Sequence, residues 1–225
     1  MISRMLKMIG TVLAVPVLLF LTAVYHYFPG YNFRVVEKGV FYGSRQMSGP
    51  ALERTIQKWG IKTVINLRGE NPDAPWYQEE VETCRRMGVQ HVDFGWSRNS
   101  IPAPESLAAY IDTVKNAPKP ILVHCEGGTH RTGVAAAIWL LLRGNDTHTA
   151  RGQFGLMFRN APIGEVVSLY EQYSAGMAFE EWVKARYPDI YKQYTGISEE
   201  SNRTPVLFLD VAKTADMVSP MVAGC

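Results

Sequence analysis

The stretch Pro120-Ile121-Leu122-Val123-His124-Cys125-Glu126-Gly127-Gly128-Thr129-His130-Arg131-Thr132-Gly133 decides how the rest of the chain is read. Its first four residues are an unbroken apolar run, the pattern of a strand buried on both faces. Residues 134–142 form a second, longer apolar segment. Between them lie two adjacent glycines, so the stretch predicts strand, tight loop and helix start. A loop of this kind turns successive backbone N–H groups inward and adds the positive end of a helix dipole, which together bind a tetrahedral anion. Cys125 stands at the mouth of the loop and Arg131 at its far end. Inward N–H groups, the helix start and a guanidinium all favour the thiolate form of a cysteine. The Thr132 hydroxyl is close enough in sequence to donate one more hydrogen bond to that sulfur. Arg131 offers a planar fork for two phosphoryl oxygens, which lysine does not. Gly127 and Gly128 permit backbone conformations that a Cβ resists. The chemistry that fits is in-line attack of sulfur on phosphorus, followed by hydrolysis of the thiophosphate. The fixed positions of H-C-x-x-G-x-x-R-T-G together arise by chance in about one in a million chains of this length.

Other loop chemistries fit less well. A Walker loop needs a lysine after its glycines, and none is present. Zinc needs paired Cys or His at ligand spacing, whereas Cys84, Cys125 and Cys225 are scattered. No metal and no cofactor is therefore expected.

With these residues in view, the chain resembles the cysteine-based protein tyrosine and dual-specificity phosphatases. The histidine before Arg131 is similar to that of the atypical plant and fungal dual-specificity group, some of which act on inositol pyrophosphates. Phe41-Tyr42-Gly43-Ser44-Arg45-Gln46 and Thr63-Val64-Ile65-Asn66-Leu67-Arg68-Gly69-Glu70-Asn71 look like bacterial members. The likeness covers residues 33–175. It implies that Cys125 is the nucleophile, that Arg131 binds phosphate, that Thr132 assists the sulfur, and that the backbone of Glu126, Gly127, Gly128, Thr129, His130 and Arg131 cradles the phosphoryl group. It also implies an α/β fold, a central mostly parallel sheet flanked by helices. In such proteins the proton for the leaving oxygen commonly comes from an Asp about thirty residues before the cysteine. Asp93 lies 32 before Cys125, but the following loop, 95–102, holds no acid. Asp93 is thus the candidate acid or a strand-end residue, with Glu70, Asp73 and Glu126 as weaker candidates. The implied substrate is a phosphorylated protein or peptide, phosphotyrosine first, or alternatively an inositol phosphate. A phosphate-binding module without turnover is the reading from another class.

The chain has 225 residues, 47% hydrophobic and 20% charged, which suits a domain with a real core. Arg4 and Lys7 are the only formally charged side chains of residues 1–28, and the remainder carries 21 basic and 21 acidic residues. A neutral body argues against nucleic acid as a ligand. Residues 9–28 hold no formal charge, are long enough to cross a bilayer and end in Tyr25, His26, Tyr27 and Phe28, an interfacial belt. They are expected to be an uncleaved N-terminal transmembrane helix of a single-pass protein, in a bacterial inner membrane. Arg4 and Lys7 favour a cytoplasmic N-terminus, which Arg34, Lys38 and Arg45 on the other flank oppose. The expected organisation is an anchor over 1–28, a phosphatase domain over 29–196 and a tail over 197–225.

Along the body, a hairpin is expected around Glu37-Lys38-Gly39 and helices over 50–59, 76–87 and 104–117. Strands are expected over 63–67, 89–94 and 121–124. Helices follow from Gly133 onward, over 147–158, over 164–173 and over 179–187 with Pro188 as stop. Pro29-Gly30-Tyr31-Asn32 reads as a short linker. Cys84 shares a helical face with Val81 and Met87, so it is a core residue or a resolving partner for Cys125. Arg68, Arg98 and Arg159 form a patch near the loop or are solvated charges. Trp76, Tyr77 and Trp96 shape a pocket or pack.

Overall fold

The computed structural model describes residues 2–200 except 156–160, with side chains over 14–155 and 161–196. The first hairpin is β1 (Arg34–Glu37) and β2 (Phe41–Arg45), antiparallel, with an irregularity between Val35 and Glu37. Then come α2 (Gly49–Trp59), β3 (Thr63–Asn66), α3 (Pro75–Met87), β4 (Gln90–Asp93), α4 (Pro104–Asn116), β5 (Ile121–Cys125) and α5 (His130–Leu142). The helix α1 (Ile2–Tyr27) precedes the sheet, and α6 (Thr147–Arg151), α7 (Glu165–Tyr173), α8 (Phe179–Ala185) and α9 (Tyr187–Glu200) follow α5. The sheet order is β1-β2-β5-β3-β4, parallel throughout except for β1. The expected mostly parallel sheet flanked by helices is what forms.

Local signals set the element ends. Gly60 and Gly88 close α2 and α3 in left-handed backbone conformation, at φ 66° and 64°. Pro50, Pro75 and Pro104 sit in first turns, where a missing N–H costs nothing. Asp146 caps α6 by accepting from the Thr149 amide at 2.7 Å.

Strand alternation divides the core. Tyr42, Leu122 and Val64 face one layer with Leu52, Ile56, Cys84 and Val89 of the α2–α3 side. Phe41 points the other way and stacks on Trp139 of α5 at 5.1 Å between ring centres. Every residue of β5 is buried, as is every residue of α5 from Thr132 to Trp139. A helix apolar all round must be central, and α5 fills that place.

Three expectations change. The helix expected over 147–158 ends at Arg151, where Gly152 follows; residues 156–160 lie outside the described residues. Pro188 does not stop a helix: α8 ends at Ala185, and Pro188 sits in the first turn of α9. The expected linker 29–32 is no spacer, because Asn32 is hydrogen-bonded to the loop after β5. The expected membrane span 9–28 falls on α1, with the side chains of 9–13 outside those described; among the described residues no helix is long and apolar enough to cross a membrane. The chain divides into two compact units, 1–188 and 189–225. The tail beyond residue 200, including Cys225, and Arg159 lie outside the described residues.

Candidate active site

The C-terminal ends of β2, β5, β3 and β4 meet at one edge, the usual ligand edge of an open parallel sheet. Cys125 closes β5 there, 3% exposed, opposite Arg45 of β2 in register. The loop 126–129 joins it to the start of α5. Gly128 lies at φ +67°, and a Cβ there would stand 2.5 Å from the Arg45 amide nitrogen and 2.7 Å from the Ser44 carbonyl carbon. The loop therefore rests directly on the end of β2, which only glycine permits.

The loop's carbonyls are drawn outward one after another. The Gln46 amide donates to Glu126 O at 3.2 Å. Asn32 Nδ2 donates to Gly127 O and Gly128 O, both at 3.1 Å, and Arg34 Nη2 donates to Gly128 O. Thr129 Oγ1 donates to Gly127 O at 3.3 Å. A peptide whose carbonyl points out directs its N–H the other way, into the concavity beside Cys125. The first turn of α5 adds N–H groups that have no acceptor within their helix.

Arg131 leaves α5 in its first turn, half-buried. Its Nη1 donates to Leu67 O at 3.2 Å and to Trp96 O at 3.3 Å. These bonds tie the guanidinium to the loops after β3 and β4. Burial works against the charge of the Arg34 guanidinium, while the Cys125 sulfur favours it. Thr132 is fully buried, and its hydroxyl donates to Ser44 O at 3.3 Å. The spacing brings Thr132 under the loop, and the end of β2 supplies its hydroxyl with an acceptor.

Beneath the loop lies a polar cluster that sequence did not single out. Glu80 of α3 is 2% exposed. Its carboxylate accepts from His124 Nε2 at 3.1 Å, His91 Nε2 at 2.8 Å and Gln46 Nε2 at 2.5 Å. Burial opposes ionisation of Glu80, but the charge and hydrogen bonds of His124 and His91 outweigh it. They hold the carboxyl well below the usual carboxylate range. Gln46 Oε1 in turn accepts from Arg68 Nη1 at 3.1 Å. The Arg68 guanidinium stacks on Trp76 with its carbon 3.5 Å from the ring centre. Burial lowers the Arg68 pKa and Glu126 opposes that, with Arg131, Glu80 and Cys125 also acting on it. Arg68 is thus half-buried and held by Gln46 and Trp76.

Asp93 closes β4. It pairs in register with Asn66, which pairs with His124, so strand alternation puts it on the α3 face, one residue out of phase with Cys125. Its carboxylate accepts from Asn66 Nδ2 and from the Tyr77 hydroxyl, each at 2.7 Å. Burial, then the bond to Asp93 and its charge, push the Tyr77 phenol well above its usual value. Glu70, Asp73 and the Glu126 side chain are exposed. Trp96 is buried, and its indole donates to Ser106 Oγ at 2.9 Å, so it packs rather than lines a pocket. Arg98 is exposed. Cys84 lies in the core, where burial, then Glu80 and Asp93, push its thiol up to about 12.

Asn32, Arg34, Gln46 and Glu80 were missed. Asn32 adjoins the likeness over 33–175 and Arg34 lies within it, but nothing local marks them as partners of the loop.

The chain is similar to several known proteins. Receptor-type tyrosine-protein phosphatase V of Rattus norvegicus is 34% identical over 92 residues, covering 35% of this chain and 5% of its own. Inositol diphosphatase DSP4 of Arabidopsis thaliana is 29% identical over 113 residues, covering 47% of this chain and 52% of its own. The chain thus spans about half or less of the length of these curated relatives. Among solved structures, a Cys-to-Ser form of P. aeruginosa TpbA in complex with pTyr superposes with a TM-score of 0.49 at 17% identity, over 69% of this chain and 89% of that one. The catalytic core of the S. cerevisiae PP-IP phosphatase SIW14 gives 0.47 at 20% identity, over 79% and 96%. A family model described as DSP-PTPase phosphatase fused to NAD+ kinase matches residues 35–168, more than half of the chain. With Cys125, the glycine loop and Arg131 all inside that match, the chain belongs to this family of cysteine-based phosphatases.

Proposed function

We propose that the chain hydrolyses phosphate monoesters through a cysteinyl-phosphate on Cys125. The sulfur attacks phosphorus in line. The S–P bond forms as the ester P–O bond breaks, and the leaving oxygen takes a proton from water. Water then attacks phosphorus, releasing phosphate and restoring the sulfur. Arg131 and the inward N–H groups of 126–131 hold the phosphoryl oxygens. The observation that carries the reading is the outward commitment of the Gly127 and Gly128 carbonyls beside Cys125.

The preferred substrate is phosphotyrosine in a protein or peptide. The Trp76 ring at the site and the 34% identical tyrosine phosphatase support this. One observation favours a second reading, an inositol pyrophosphate: Arg68 adds a guanidinium beside Arg131, and a relative is named an inositol diphosphatase. Phosphate release should be measured from phosphotyrosine and phosphoserine peptides, phosphoinositides and inositol polyphosphates, with chelator present. Fastest release from phosphotyrosine peptide is expected. Release from inositol pyrophosphate alone establishes the second reading. Tight phosphopeptide binding without release makes the protein a binding module and overturns both.

The same assay addresses Asp93. A general acid is worth about 10²–10⁴-fold, chiefly with poor leaving groups. Given its bonds to Asn66 and Tyr77, Asp93→Asn is expected to slow phenyl phosphate and p-nitrophenyl phosphate by the same factor. Selective loss on phenyl phosphate restores Asp93 as the proton donor.

We also place α1 at a lipid bilayer. Val15 and residues 17–21 expose more than half of their apolar surface. Alkaline carbonate washing is expected to leave the full chain with membranes.

A further inference from the structure

We infer that residues 27–34 are a positioning strap for the phosphate loop, with Asn32 and Arg34 as its working side chains. The inference rests on the phosphate-binding role assigned to that loop above. The strap lies outside residues 35–168, the region the family model matches.

Asn32 and Arg34 hold two successive loop carbonyls from one side. Arg34 also donates through Nη1 to Gln153 O at 2.7 Å, so its fork bridges the loop and the segment after α6. A charged donor polarises an amide more than a neutral one. Both bonds oppose rotation of the Gly127–Gly128 and Gly128–Thr129 peptides, the motion that would turn their carbonyls toward an anion. Neither glycine has side-chain bulk to resist that motion itself.

The strap is in turn fixed to β2. Tyr31 and Asn32 lie at φ 55° and 47°. Asparagine tolerates that region, but tyrosine rarely occupies it. The Arg45 amide donates to Tyr31 O at 2.9 Å and holds the turn. The Arg45 guanidinium carbon lies 5.2, 5.6 and 6.0 Å from the ring centres of Tyr27, Phe28 and Tyr31. Tyr27 reaches the loop as well: its hydroxyl lies 3.2 Å from where a Gly127 Cβ would stand. Arg45 is the register partner of Cys125. The end of α1 is thereby joined to the catalytic strand pair through one arginine and its aromatic cage.

Asn32→Asp keeps the side chain's size but sets a carboxylate against two carbonyls. In the full chain in detergent it is expected to weaken inorganic phosphate binding, measured by calorimetry in a Cys125→Ser background, by about 10- to 100-fold. In the Cys125 protein it is expected to lower kcat/KM for p-nitrophenyl phosphate and vanadate affinity by the same factor. Arg34→Ala should lose phosphate affinity likewise and recover it on addition of guanidinium, which keeps the test open if Asn32→Asp does not fold. Affinity within twofold of the parent in Asn32→Asp, or no recovery of Arg34→Ala with guanidinium, overturns the strap. A parent protein that does not bind phosphate overturns the assignment of the loop instead, which separates the two failures.

Discussion

Cys125→Ser is expected to reduce turnover by about 10⁵-fold or more, the scale seen when an enzyme nucleophile is removed, while leaving phosphate bound. The separation follows from the division of labour at the site. On the proposed mechanism, binding falls to main-chain N–H groups and Arg131, which the substitution does not touch, and bond making falls to the sulfur. An alcohol near neutral pH does not ionise and needs a base to attack phosphorus. Single-turnover phosphate release and calorimetric titration with inorganic phosphate check the two halves. Residual turnover within tenfold of the parent removes Cys125 as nucleophile. Loss of phosphate binding along with turnover shows that the sulfur shapes the loop rather than attacks.

Glu80→Ala is expected to be the most destabilising single change at the site, by about 3–5 kcal/mol, because one half of a buried charged cluster is removed. His124 Nε2, His91 Nε2 and Gln46 Nε2 all donate to this carboxylate. The melting temperature should fall by on the order of 10 °C. The pH dependence has a definite sign. Glu80 is held below the usual carboxylate range when folded, so its stabilisation is fully present above about pH 4.3 and fades as pH falls below that value. Urea midpoints between pH 3 and 7 should therefore drop more steeply on acidification for the parent than for Glu80→Gln. Parallel curves would show that the His124–Glu80–His91 cluster is not ionised in the way the structure implies. Turnover should fall with stability, because His124 precedes Cys125 and Gln46 carries Arg68.

Some of this protein was decided by its sequence alone. The strand, glycine loop and helix around Cys125 and Arg131 are written within fourteen consecutive residues. Gly60, Gly88 and the helix-opening prolines act on their own turn, so local chemistry sufficed to place α2, α3 and α4. The buried faces of α4 and β5 follow from periodicity. The remainder was decided only when distant segments met. Arg34 and Gly128 are 94 residues apart, and Glu80 and His124 are 44 apart. No periodicity links such pairs, because a hydrogen bond depends on where the fold sets two atoms and not on the count between them. The same reason governs Thr132 and Asp93. Their distance from Cys125 along the chain says nothing of the partners they meet. The register of β2 against β5 supplied Thr132 with the Ser44 carbonyl, and the register of β3 between β4 and β5 turned Asp93 to the α3 face.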